Sequence, residues 1–225
     1  IVTPAVTILV GALLTVLTAK YIGAAASSIG NLIVWSTQLH PFWMGILVSV
    51  VVGVALTLPI SSAAICAAFG LVGLAGGAAV AGCCAQMVGF AVMSFKENRW
   101  GGILSQGLGT SMLQMPNIIK NPKVWIAPTL ASAITGPIAT CLFKMEMNGA
   151  AVSSGMGTCG LVGQIGVYTG WISDIEAGIK VAITGMDWIG LVLICFILPG
   201  VLTWGFGIFF RNIGWIKEND LKLDL

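Results

Sequence analysis

The sequence predicts an all-α polytopic membrane protein. It reads as about five full transmembrane helices with half-helices and two Gly-rich re-entrant loops, a candidate inverted repeat. Three observations carry this. Of 225 residues, 57% are hydrophobic and 8% charged, whereas a soluble domain spends about 25% of its residues on charge. Ten basic and eight acidic side chains cannot cover the surface of a soluble 23.3 kDa globule with a mean hydropathy of +1.00. Apolar runs long enough to cross a hydrocarbon core of about 30 Å as helix recur along the chain.

Four segments have the length of a span: Ile1–Ala19, Pro41–Ile60, Gly77–Phe95 and Val124–Phe143. Trp188–Phe210 is a fifth, and the richest in Leu, Ile and Phe. Between the first two, Gly23–Leu39 is interrupted by Ser27, Ser28, Asn31, Ser36, Thr37 and Gln38. It reads as an interfacial helix, with Trp35 and Trp43 at headgroup level. Ser61–Gly76 is apolar but short and ends Gly-rich, which suggests a half-helix or bent span. The chain opens on Ile1 inside an apolar run. It is expected to be one transmembrane permease-like domain, residues 1–225, cut from the C-terminal part of a longer chain.

The charges orient the spans. Lys96 and Arg99 follow the third, Lys120 and Lys123 precede the fourth, and Arg211, Lys217 and Lys222 close the chain. Cytoplasmic loops are enriched in Lys and Arg, so all three clusters are expected inside, the C-terminal tail among them. Gly101–Pro116, between the first two clusters, would be about 24 Å long as helix. That is short for a crossing, and a loop that enters and returns is the simplest solution. Gly149–Gly166 then becomes a second such loop, entered from the opposite side.

The two loops echo each other. Ser105-Gln-Gly-Leu-Gly-Thr-Ser111 and Ser153-Ser-Gly-Met-Gly-Thr-Cys159 share the form S-x-G-Φ-G-T-[SC], and Gln114 and Gln164 follow. Paired hairpins of opposite orientation that meet near the midplane are a transporter arrangement. Gly107, Gly109, Gly155 and Gly157 would let irregular backbone approach a ligand closely. The alternative is that small residues serve close helix packing, since the chain holds 30 glycines.

Few polar residues are left to do chemistry. Glu146 adjoins the second loop, where a carboxylate accepts charge-assisted hydrogen bonds from hydroxyls; a solvated charge offsetting Lys144 is the alternative. Gln114 and Asn117 close the first loop with amides suited to hydroxylated ligands, or simply cap a turn around Pro116. His40 is the polar start of a span or a proton relay. Lys96, Glu97 and Arg99 form a cytoplasmic anchor or a docking patch, and Asp187 is a candidate N-cap. Six cysteines lie in apolar or Gly-rich stretches and are expected to be buried small hydrophobes. One histidine argues against a zinc site, and a net charge of +2 gives no basic surface for nucleic acid. The sequence holds no catalytic Ser/His/Asp set, HExxH or Walker pattern. No catalytic residue, metal or cofactor is therefore expected.

Gly107-Leu-Gly-Thr-Ser-Met-Leu-Gln-Met-Pro-Asn-Ile-Ile-Lys-Asn-Pro122 is a specific block. It occurs with Leu58-Pro-Ile-Ser-Ser-Ala-Ala64, Gly82-Cys-Cys-Ala-Gln-Met-Val-Gly-Phe90, Gly155-Met-Gly-Thr158, Gly214-Trp-Ile-Lys217 and Asp220-Leu-Lys-Leu-Asp-Leu225. With these segments the chain resembles the phosphotransferase-system enzyme IIC-like membrane family, which includes the perfringolysin O regulator proteins. The resemblance covers essentially the whole chain. It implies an oligomeric permease in a bacterial cytoplasmic membrane, passing a sugar or polyol while a separate soluble IIB-type phosphocarrier phosphorylates it. This chain has no IIB-like soluble domain of its own.

The leading expectation is thus a carrier in the lipid bilayer, with a site for a small hydroxylated solute lined by Thr110, Ser111, Gln114, Asn117, Glu146, Thr158 and Gln164. A membrane regulator that binds without moving its ligand is the second reading. An ion-coupled transporter or channel using loop carbonyls is the third.

Overall fold

The computed structural model describes residues 2–223, so Ile1 of the first expected span lies outside the described residues. The described chain is helical, with one isolated bridge between Gly73 and Met147. The all-α polytopic expectation holds, and the boundaries differ in instructive places.

Helix α1, Val2–Thr37, is one continuous 36-residue helix, not a span followed by a separate interfacial helix. The polar residues that suggested a break are absorbed by the helix itself. Of these, Ser28 and Ser36 donate a hydroxyl to the carbonyl four residues back at 2.9 and 2.7 Å and Thr37 to the carbonyl three back at 2.7 Å, and Thr15 and Thr18 do the same four residues back earlier in the helix, the local side-chain-to-backbone bond open to Ser and Thr inside a helix. Helix α2, Pro41–Thr57, begins with proline at the first turn, and His40 Nδ1 accepts from the Phe42 N–H at 3.4 Å. That supports the polar start of a helix for His40.

Helix α2 stops at Thr57 because Pro59 drives its predecessor out of helical geometry; Leu58 has φ −70, ψ 157. Ser61 then caps a seven-residue return helix, α3 (Ser62–Ala68), its Oγ accepting from the Ala64 N–H at 3.1 Å. This is the expected half-helix. At 17 residues, or about 25 Å, α2 falls short of a full span. Among the described residues three helices are long and apolar enough to cross a membrane: α4 at Gly73–Met93, Pro122–Leu142 and Gly185–Asn212. The second consists of a 3₁₀ turn, α7 (Ile126–Pro137) and a π turn. In the third, α9 (Gly185–Val192) passes through a π turn at Leu193–Ile197 into α10 (Leu198–Asn212). Thr184 caps α9, and Asp187 completes the capping box from the third position instead of being the cap itself.

Helix α4 is the axis. Its most apolar window is 89% buried, and its small residues explain why. Carbonyl oxygen of Ser49 stands where a Cβ on Gly82 would lie, so α2 and α4 meet backbone to backbone. Gly53 lies against Gly82 and Gly136 against Gly45 and Ser49. The small-residue packing that the sequence left open is real here. The contacts fix direction: Ser49 meets Gly82 while Thr57 meets Gln86, so α2 and α4 run parallel. Ser132 meets Gly82 and Thr140 meets Pro41, so α7 is antiparallel to both. Helix α10 runs with α4, Thr203 beside Gly89 and Gly207 beside Met93.

Two hairpins fill the remaining space from opposite ends. The first, residues 95–120, leaves the C-terminal end of α4 as α5 (Phe95–Gly102), continues through a π turn at Ile103–Gly109 and returns as α6 (Met115–Lys120). On the way in Gln106 reaches Ser94 and Gly107 abuts Ala91; at the tip Ser111 reaches Thr57. The second, residues 144–176, starts at the other end of α4. Met147 and Gly73 exchange backbone hydrogen bonds of 2.9 and 3.0 Å. Gly157 then abuts Cys83 and Thr158 reaches Met87, before α8 (Val162–Glu176) leads back out. The π turn of the first hairpin packs on the Cys159–Leu161 turn of the second. The two tips meet.

Candidate functional site

Three stretches of irregular backbone converge where the tips meet. The break between α2 and α3 supplies Leu56, Ser61, Ser62 and Ala63, the first tip supplies Thr110 and Met112, and the second supplies Met156 and Cys159. Together they line a cleft of about 180 Å³. Each stretch is irregular for its own reason. Pro59 ends α2. Thr110 is fully extended (φ −158, ψ 141) and accepts from the Met112 N–H at 3.2 Å, capping the turn that follows. In the second tip Gly157 has φ +52, and a Cβ there would stand 2.7 Å from Cys83 Cβ. Only glycine combines that left-handed backbone with that approach.

A buried polar network lies directly behind the first tip. The Ser111 and Thr57 hydroxyls hydrogen-bond at 2.8 Å, and Thr57 donates to Gln86 Oε1 at 3.3 Å. The Trp125 indole donates to the same oxygen at 3.0 Å. The Gln86 amide nitrogen reaches the hydroxyls of Thr129 and Ser132, both at 3.4 Å. Gln86 is fully buried and ties α2, α4, α7 and the first tip together. It was not singled out from the sequence, although an amide inside the apolar Gly77–Phe95 segment was the available signal, since polar groups within a span are costly.

The expected site residues separate into four groups. Thr110 lines the cleft, and Ser111 is buried beneath it on Thr57. Thr158 and Gln164 lie in the second hairpin against α4: the Thr158 hydroxyl reaches Met87 Sδ at 3.6 Å, and the Gln164 amide nitrogen reaches Cys84 Sγ at 3.2 Å. Gln164 Oε1 is buried without a hydrogen-bond partner among the described residues. Of the glycines, Gly107 and Gly109 have ordinary or open surroundings, while Gly155 presses on the backbone of Ser62 and Gly157 on Cys83. Gly155 and Gly157 therefore serve packing, and the two echoed segments share a position in the fold but not a backbone conformation.

Gln114 and Asn117 do different work. Gln106 donates to Ser94 Oγ at 2.8 Å, Gln114 to Gln106 Oε1 at 2.9 Å, and Asn117 to Gln114 Oε1 at 2.8 Å. The chain of amides ends on the C-terminal tail. Gln114 donates to the Leu221 carbonyl at 3.1 Å, Asn117 to the Lys222 carbonyl at 2.9 Å and Asn98 to the Leu221 carbonyl at 2.7 Å. Leu221 itself is fully buried with Phe90, Ile118 and Phe210. The first hairpin is thereby latched by the tail.

Glu146 is exposed and lines a different cavity, also about 180 Å³, at the Gly73 end of α4. There Asn148 donates to Glu146 at 3.1 Å and to Asp174 at 2.9 Å, and Lys180 pairs with Asp187 at 2.7 Å. The structure does not bring Glu146 together with Thr110. No group of three or more His, Cys, Asp or Glu side chains suited to a metal occurs among the described residues.

The family model described as phosphotransferase system, EIIC, matches residues 1–223. Searches of the curated proteins and of the solved structures found no match. With three helices of spanning length and a family match over nearly its whole length, the chain is a multi-pass membrane protein that belongs to the phosphotransferase system EIIC family.

Proposed function

We propose that this EIIC-family chain is the membrane component that binds and translocates a small hydroxylated solute, a sugar or polyol, at the cleft between the two hairpin tips. The observation that supports this most is the convergence of three irregular backbone stretches from both ends of α4 on one cleft carrying the Thr110, Ser61 and Ser62 hydroxyls. In a bilayer, backbone outside helical geometry persists only where it is buried in protein or lines a cavity. On this reading both hairpins are re-entrant, and the Lys96 and Arg99 end, with the C-terminal tail, faces the cytoplasm of a bacterial cell.

Hydroxyls and the loop backbone replace the solute's water shell, and Ser111 couples the cleft to Gln86 behind it. Rocking of one hairpin against the α2–α4–α7 core then alternates access. A soluble IIB-type partner takes the phosphoryl step, and a second copy of the chain covers part of the apolar exterior. Gln114 and Asn117 hold the tail, Glu146 lies in its own cavity, and Ser111, Thr158 and Gln164 are buried behind the tips, so direct solute contact is assigned first to Thr110.

The test is a thermal-stability screen of the detergent-purified protein against sugars, polyols, sugar acids and simple ions. A ligand that binds only the folded form stabilises it by about 2.7 kcal/mol at a hundredfold excess over its Kd. One sugar-like hit, weakened at least tenfold by Thr110→Val and not by Glu146→Gln, supports the cleft. A flat response to every solute refutes it. Stabilisation by ions alone, with transport tracking an ion gradient, would favour an ion-coupled carrier. A membrane regulator is the second reading, and the tail latched to the first hairpin favours it, because it links the cleft region to the charged end. Solute binding without flux in liposomes would select it.

A further inference from the structure

A second groove, of about 540 Å³, lies at the Lys96 end between the end of α4, α5 and α10. Its walls are apolar: Val92, Ile103, Trp204 and Ile208. Its rim is basic, formed by Lys96, Arg99 and Arg211. The three cations are not equivalent. Arg211 is spoken for, with Nη2 on the Met93 carbonyl at 3.1 Å and on Glu97 at 2.8 Å. Lys96 makes an exposed pair with Glu218 at 3.0 Å. The Arg99 side chain is exposed and has no hydrogen bond or ion pair among the described residues. It is also the one residue of α5 off helical geometry, at φ 52, ψ −145.

The groove opens toward the outer face of the Gly185–Asn212 span. That span has a mean hydropathy of 2.3 with only 39% of its window buried, and Val201, Trp204, Ile208 and Phe209 stand exposed along it. In a membrane protein this face borders lipid. Trp100, next to Arg99 in sequence and well exposed, lines the groove at its basic rim, the position that Trp favours at the membrane–water interface. An occupant must therefore be apolar over most of its length and anionic at the end beside Arg99. A guanidinium matches a phosphodiester with paired, charge-assisted hydrogen bonds, and basic pockets between spanning helices suit anionic headgroups.

We propose that this groove is a binding site for an anionic phospholipid, an acyl chain lying between α4, α5 and α10 and its phosphate held by Arg99 with Lys96 at the rim. The purified full chain in neutral detergent is titrated with phosphatidylglycerol, phosphatidylcholine or inorganic phosphate, followed by thermal unfolding and by native mass spectrometry. Phosphatidylglycerol is expected to raise the Tm and remain bound, while phosphatidylcholine and inorganic phosphate do neither. Arg99→Gln is expected to weaken the phosphatidylglycerol response at least tenfold. Arg99→Gly removes the same charge while fitting the positive φ, so it keeps the lipid-free Tm at or above wild type and still loses the lipid response. Equal stabilisation by both lipids, an effect reproduced by phosphate alone, or an unchanged response in Arg99→Gly would overturn the proposal. So would a stable dimer that buries Trp204 and admits no lipid.

Discussion

Leu221 lies on the irregular segment that follows α10 yet is fully buried, although segments outside helices ordinarily run over the surface. Truncation to alanine tests whether the tail is a structural member. Leu221→Ala removes three carbons from a pocket shared with Phe90, Ile118 and Phe210. At about 0.8 kcal/mol per methylene the transfer loss is about 2.4 kcal/mol. The cavity contribution is taken as small, because the non-helical segment that carries Leu221 can collapse around the lost atoms. For a chain of this size about 2–4 °C is lost per kcal/mol, so a Tm decrease of about 5–10 °C is expected. The loss is shared with the amides that grip the neighbouring backbone at Leu221, Lys222 and Leu223. A loosened tail should therefore also open Lys217 and Lys222 to trypsin. The assay is dye-monitored unfolding in detergent beside a timed digest. A Tm within about 1 °C of wild type, with both lysines cut as quickly in wild type as in the variant, would refute the docked tail and with it the latch on the first hairpin.

Gly157→Ala is expected to cost about 2 kcal/mol or more in thermal unfolding, since it meets a left-handed backbone and the Cys83 contact together. Gly109→Ala, whose nearest neighbour would be Leu104 O at 3.8 Å, should be close to neutral in the same measurement. Gln86→Leu strips the acceptor from the Trp125 indole and the Thr57 hydroxyl; interhelical hydrogen bonds in membranes average about 0.6 kcal/mol, so a loss of about 1–2 kcal/mol is expected, and an unchanged Tm would mean that the network is dispensable to the fold. Gln114→Ala should act on the tail before it acts on solute. Faster trypsin cleavage at Lys222 with unaltered solute affinity is the expected result, and the reverse pattern would return Gln114 to the solute site.

The sequence by itself determined the solvent. A chain with 8% charge has too little polar surface to face water, and the spacing of its apolar runs locates Gly73–Met93, Pro122–Leu142 and Gly185–Asn212 within a few residues. The two Gly-rich segments were also legible as hairpins, because glycine, serine and threonine cluster where helical length runs short. The polar interruptions of α1 misled, since a hydroxyl bonded four residues back leaves the same trace in sequence as a loop. What each polar side chain does was decided by the tertiary structure alone. Gln86, Gln106, Gln114 and Gln164 are the same amide, yet one joins three helices, two carry the chain that grips the tail, and one is left with a buried oxygen unpartnered. A buried amide takes its role from whichever donors and acceptors lie within about 3 Å. Those partners come from α2, α7 and the last residues of the chain, separated in sequence by up to a hundred positions and more, so only the packed helices bring them into reach.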